Sequence, residues 1–205
     1  MRKRLIILVP GSKTKLSSLR ILNELLGKFY RYFGVDTENS DAWIEELKTL
    51  LSAEEPSAEV IYFSWSGGVT RTFSLNKAGQ ELFALLSEKG SEEVILLCKS
   101  LGGVVGEIAA RKYGKKLKLI EVATPHAPCK RAMPLVELIT IYSPQDKYFK
   151  LANKVLYCGL GKNVMAHARN VALPNVDHSD FNKNIEVDYD HSQIRLFELY
   201  KKLIR

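Results

Sequence analysis

Val94-Ile95-Leu96-Leu97-Cys98-Lys99-Ser100-Leu101-Gly102-Gly103-Val104-Val105-Gly106 is the stretch that decides the fold. An apolar run ends at a serine, small residues follow, and a helical pattern begins. That is the layout of a nucleophile elbow, the sharp turn from strand to helix that lifts a serine oxygen clear of the backbone. Gly102 and Gly103 are the small neighbours such a turn needs, and Gly106 lets the helix approach the sheet. Position 98 departs from the pattern, because cysteine stands where G-x-S-x-G has its first glycine. A serine that only caps the helix beginning near Gly102 accounts for the same residues. The choice rests on what stands at the ends of the other strands.

Working outward, the apolar runs are Leu5–Val9, Val60–Ser64, Val94–Cys98, Leu117–Val122, Leu138–Tyr142 and Asn170–Leu173. They are continuous rather than alternating, which suits parallel strands buried on both faces. Helical patterns lie between them at Leu16–Phe33, Asp41–Leu51 behind Ser40, Ala78–Lys89, Gly102–Tyr113 and Tyr148–Tyr157. A last one, His191–Ile204, reads as starting behind Asp190, with Gln193 completing a capping box. The alternation predicts an α/β fold, a mostly parallel central sheet of about six strands with helices on both faces. With 205 residues, 46% of them hydrophobic, and no linker or repeat, one domain over 1–205 is expected.

Composition narrows the function classes. No apolar run approaches the roughly 20 residues of a membrane span, so no integral membrane segment is expected. The apolar stretch behind Met1-Arg2-Lys3-Arg4 breaks at Pro10-Gly11, too early for a signal peptide, and a cytoplasmic location follows as the simplest inference. Cys98, Cys129 and Cys158 show no C-x-x-C spacing, and the four histidines are scattered, so neither a disulfide framework nor a metal site is expected. A net charge of +7 comes from dispersed lysines without interleaved aromatics, which points to no nucleic-acid partner.

In parallel sheets ligands gather beyond the carboxyl ends of the strands. Ser100 follows the third strand. A serine hydroxyl needs a general base and a group to orient that base. Asp146, in Ser143-Pro144-Gln145-Asp146, follows the fifth strand, where a turn or helix start fits equally well. His178 follows the sixth, in Pro174–Asp180. The order Ser100, Asp146, His178 matches the Ser, Asp/Glu, His order of α/β-hydrolase triads. His191, beside Asp188 and Asp190, is the rival base, and His167 lies ahead of the last strand. The oxyanion donors expected are the N–H groups of Leu101, after the serine, and Ser12, after the first strand. Lys13 neighbours Ser12. Gly11-Ser12-Lys13-Thr14 looks like a phosphate loop but lacks glycine directly before the lysine and at position 7.

These residues resemble the α/β-hydrolase superfamily, and within it the small lipases and esterases. Cys98-Lys99-Ser100-Leu101-Gly102-Gly103 is close to the G-H-S-x-G-G of many lipases, and Leu8-Val9-Pro10-Gly11 stands where the family often has H-G. Ala123-Thr124-Pro125-His126-Ala127-Pro128 is similar to the T-P-H-x-G segment of lipases and of deacylases of the GPI-inositol type. The resemblance implies that His126 shapes the pocket wall rather than acting as base. It also implies a minimal fold without a cap domain, since Pro125–Val136 leaves no room for one. Trp65, beside the Ser66–Arg71 loop, is expected to border the substrate along with Lys13.

The function expected is a serine hydrolase that cleaves carboxylic esters through an acyl-enzyme on Ser100 with no cofactor. Its partner is a small-molecule ester or thioester. The alternatives are an acyl thioesterase, with the positive charge meeting the phosphates of coenzyme A, and a non-catalytic binding module on a hydrolase scaffold.

Overall fold

The six apolar runs form one sheet. A computed structural model describes residues 4–11, 42–65, 72–126, 133–150, 162 and 164–205. Its strands are β1 (Arg4–Val9), β2 (Ala58–Tyr62), β3 (Glu93–Lys99), β4 (Leu117–Val122), β5 (Val136–Tyr142) and β6 (Arg169–Ala172). They pair in the order β2-β1-β3-β4-β5-β6, and every pairing is parallel.

Burial on both faces explains the unbroken apolar runs. Leu5 to Val9 are all fully buried, yet their side chains alternate between two cores. Ile6 and Leu8 join Ile95 and Leu97 on one side, where α1 (Ala42–Glu54) contributes Trp43, Ile44, Leu47 and Leu51. Leu5, Ile7 and Val9 join Leu96 and Cys98 on the other, under α2 (Thr72–Lys89) and α3 (Leu101–Tyr113). Helices thus cover both faces. Arg4 ties the sheet's start to the chain's end, donating to Glu55 Oε2 at 3.0 Å and to the Ile204 carbonyl at 2.7 Å.

The C-terminal region departs from expectation. Asp190 and His191 do not open a helix. Both take positive φ, 52° and 61°, and form the two-residue turn of a hairpin between β7 (Glu186–Tyr189) and β8 (Ser192–Arg195). A turn with both central residues left-handed matches the twist of paired strands, so the pairing wins over the capping pattern. The final helix, α4, runs only from Leu196 to Ile204 and has no side-chain cap at Arg195. Leu196, Phe197, Leu199, Tyr200 and Leu203 then bury against the α1 side of the sheet at helical spacing.

α2 begins at Thr72, six residues before the apolar pattern that marked Ala78. The expected helix Leu16–Phe33 lies outside the described residues. Of Tyr148–Tyr157 only the first turn is described, and residues 147–150 are helical. No helix among the described residues is long and apolar enough to cross a membrane.

Candidate active site

The chain places β1 next to β2, then crosses back to set β3 on the opposite side of β1. At such a switch point the connections leave in opposite directions and open a crevice beyond the carboxyl ends. Pro10-Gly11 follows β1 there and Ser100 follows β3.

Ser100 has φ 51° and ψ −127°, a backbone conformation that L residues seldom adopt. It is held there by its N–H, which donates to the Val122 carbonyl at 2.8 Å, and by its own carbonyl, which accepts from the Gly103 N–H at 3.0 Å. Ser100 sits at the N-cap position of α3, but its hydroxyl makes no capping hydrogen bond. The strained turn has left that oxygen out of the helix. Leu101 is the first helical residue, so its N–H is one of the four without an intrahelical acceptor.

The elbow presses hard on the loop after β1. A Cβ on Gly102 would lie 2.3 Å from the Pro10 carbonyl oxygen and 2.7 Å from that of Val9. Gly102→Ala is therefore expected to destabilise the fold by about 3 kcal/mol, because backbone must move to make room. Urea unfolding checks this, and a loss below about 1 kcal/mol would show that the close approach is absent. Gly11 brings the same loop beside the serine: a Cβ there would lie 3.2 Å from Ser100 Cβ and 3.8 Å from Oγ.

Cys98 has a local explanation. Its thiol is fully buried toward α3, where a Cβ on Gly106 would come within 2.7 Å of Sγ. The glycine missing from position 98 is offset by the one at 106. Burial and the Glu121 charge push the Cys98 thiol well up, which keeps it protonated.

Asp146 and His178 meet. Asp146 Oδ2 accepts from His178 Nδ1 at 2.8 Å, and Oδ1 accepts from the Phe149 N–H at 2.8 Å. Asp146 is 2% exposed and His178 5%. The loops that carry them are tied by Gln145, whose Oε1 accepts from the Asn175 N–H at 3.0 Å. Tyr148 packs on the imidazole with ring centroids 4.3 Å apart. Burial pushes the His178 pKa down from 6.5, the Asp146 bond and charge oppose this, and the Lys99 charge adds to the lowering. Burial favours the neutral ring, and with the proton on Nδ1 toward the Asp146 carboxylate a lone pair is left on Nε2.

The rival histidines are elsewhere. His191 is exposed in the β7–β8 turn and His167 is exposed ahead of β6. Ser12 and Lys13 lie outside the described residues, as do Cys129 and Cys158. Trp65 is buried, and its indole N–H donates to the Pro10 carbonyl at 2.9 Å, bracing the loop beside the elbow.

Two features escaped sequence reasoning. Lys99 read only as a departure from the lipase histidine, but it is 6% exposed and donates to Asn182 Oδ1 at 2.6 Å. His126 turns Nδ1 toward two buried carboxylates, Glu107 Oε1 at 3.3 Å and Glu121 Oε2 at 3.6 Å. Burial pushes His126 down to about 4 and Glu121 well above the usual carboxylate range, the latter offset in part by the Arg111 charge. Neither carboxylate could be found from the sequence, since each looks like an ordinary residue of an amphipathic element.

No protein-family model and no curated protein sequence matches the chain. Among solved structures it is similar to a "putative cell surface hydrolase" from Lactobacillus plantarum WCFS1. The TM-score is 0.51 at 14% identity, over 100% of this chain and 91% of that one. It is also similar to an uncharacterized protein from Bacillus cereus ATCC 10987, with TM-score 0.48 and 13% identity, over 100% of this chain and 60% of that one. The first likeness is one of fold, and it agrees with the parallel α/β sheet.

Proposed function

We propose that this chain is a serine hydrolase that cleaves carboxylic esters through an acyl-enzyme on Ser100. Ser100 attacks the ester carbonyl, and His178 takes its proton at Nε2. Asp146 holds the imidazole in the tautomer that makes this possible and stabilises the imidazolium that forms. The N–H of Leu101, at the start of α3, and that of Ser12 are the donors assigned to the developing oxyanion. Protonated His178 then returns its proton to the leaving alcohol, and water releases the acyl group by the same steps in reverse roles.

The observation that carries this reading is the Asp146–His178 pair, buried and 2.8 Å apart, in a sheet whose switch point bears a strained, uncapped serine. The "cell surface hydrolase" wording belongs to the Lactobacillus protein and adds only that a hydrolase reading suits this fold.

The pH profile tests it. A general base works only when neutral, so kcat/KM for p-nitrophenyl acetate is expected to rise with pH through the free-enzyme pKa of His178. Burial and Lys99 hold that pKa below 6.5, so the midpoint falls below 6.5 and activity is level at neutral pH. Lys99→Met removes a positive charge that disfavours the imidazolium, so its midpoint moves to higher pH. A profile with no acidic limb, or a limb that Lys99→Met leaves in place or moves down, contradicts the assigned base and its setting. A rate for acyl-coenzyme A far above that for the ester would move the substrate class to thioesters.

A further inference from the structure

Glu107, Glu121 and His126 form a cluster that the acyl-transfer mechanism does not use. One ligand atom from each of the three lies within 4.8 Å of the others, and all three residues are buried. They come from three separate places. Glu107 is on α3, six residues past its start, or roughly 9 Å along the helix. Glu121 is on β4, opposite Cys98 of β3, with its side chain toward α3. His126 follows β4 in the Thr124-Pro125-His126 segment, and its backbone is fixed by reciprocal hydrogen bonds with Lys162, both 3.0 Å.

Within this cluster Glu121 is the group left unsatisfied. The imidazole offers a single nitrogen, Nδ1, to two carboxylates, and one N–H serves one acceptor well. Glu107 Oε1 is the nearer at 3.3 Å. Glu121 is 0% exposed, and neither of its oxygens has a hydrogen-bond partner among the described residues. A buried carboxyl left in that condition is costly, and it is the kind of group that a cation satisfies.

The two known edges of the cluster suit a small cation, and the third lies within 4.8 Å. Ligands about 2.0–2.2 Å from a tetrahedral zinc ion are separated by about 3.3–3.5 Å. The two edges from His126 Nδ1 are 3.3 and 3.6 Å. Calcium takes six to eight oxygens at about 2.3–2.6 Å, and this group has three protein donors, one of them nitrogen. We propose that Glu107, Glu121 and His126 form a buried site for a divalent cation of the zinc type, joining the helix behind Ser100 to the end of β4. The cation would fasten α3 against the sheet and hold the His126 segment, which is a structural role separate from the triad. Its success or failure is independent of the ester-hydrolase reading.

The test uses the whole chain, freed of metal by a chelator and then titrated with Co2+ and Zn2+. One Co2+ per chain is expected, with the visible bands of a four-coordinate site and no thiolate charge-transfer band. Zn2+ should displace it, and free Zn2+ at a hundredfold excess over Kd should raise Tm by about 5–10 °C. Glu107→Gln and Glu121→Gln are each expected to weaken Zn2+ binding by about 100-fold or more, since even outer-shell changes cost about 10- to 100-fold. No Co2+ bands with no change in Tm overturn the site. Affinity in both variants equal to that of the unaltered chain overturns it too, by placing the metal elsewhere. If a variant fails to fold, the Co2+ spectrum and stoichiometry of the unaltered chain decide alone.

Discussion

Ser100→Ala is expected to lower turnover of a p-nitrophenyl ester by roughly 10⁴- to 10⁶-fold while leaving the fold intact. The size of the loss follows from the role: without the nucleophile no acyl-enzyme forms, and only binding and the oxyanion donors remain to speed attack by water. Survival of the fold follows from the structure. The Ser100 hydroxyl makes no capping hydrogen bond, and the turn is held by backbone contacts to Val122 and Gly103. Alanine at φ 51° is strained no differently from serine. A capping serine would lose about 1 kcal/mol of stability on this change, so stability and turnover together separate the two roles. Near-normal turnover in the variant, or a marked fall in stability with activity kept, contradicts the nucleophile.

Asp146→Asn is expected to lower kcat by about 10⁴-fold with little effect on KM. The two carboxylate oxygens have different tasks, one accepting from the Phe149 N–H and the other from His178 Nδ1. An amide has only one oxygen. If it stays on Phe149, the NH₂ faces the imidazole and turns Nδ1 into an acceptor. The ring proton then sits on Nε2, where it cannot take the serine's proton. If the amide flips, the helix start loses its cap instead. With the residue 2% exposed, water has little room to repair either arrangement. Activity within tenfold of the parent chain would show that Asp146 does not set the tautomer.

Much of this was legible in the sequence because the signals are local. A parallel strand buried on both faces must be apolar at every position, and Leu5–Val9 and Val94–Cys98 announce themselves on that ground alone. The strand ends then mark Ser100, Asp146 and His178 as candidates, and the last two meet in the structure. The β7–β8 hairpin was not legible in that way. Its turn uses Asp190-His191, without the glycine that usually signals φ above zero. Asp190 with Gln193 also imitates a capping box, and only the pairing of Ser192–Arg195 with Glu186–Tyr189 excludes the helix.

Contacts between distant segments were illegible for a further reason. Lys99 meets Asn182 across 83 positions, and Glu107, Glu121 and His126 converge from a helix, a strand and a loop. None follows from spacing. The scattered histidines gave no sign of this cluster, since it takes one histidine and two carboxylates. Cys98 is the instructive case between these extremes. It looked like damage to the elbow motif, and the explanation lies eight residues on, at Gly106.

Treatment with a fluorophosphonate, followed by intact mass and peptide mapping, tests most directly whether Ser100 is an activated nucleophile. The expected result is one adduct per chain on Ser100, absent from Ser100→Ala and strongly slowed in Asp146→Asn. No adduct on the folded chain, or an adduct on another residue with Ser100 unmodified, would contradict it.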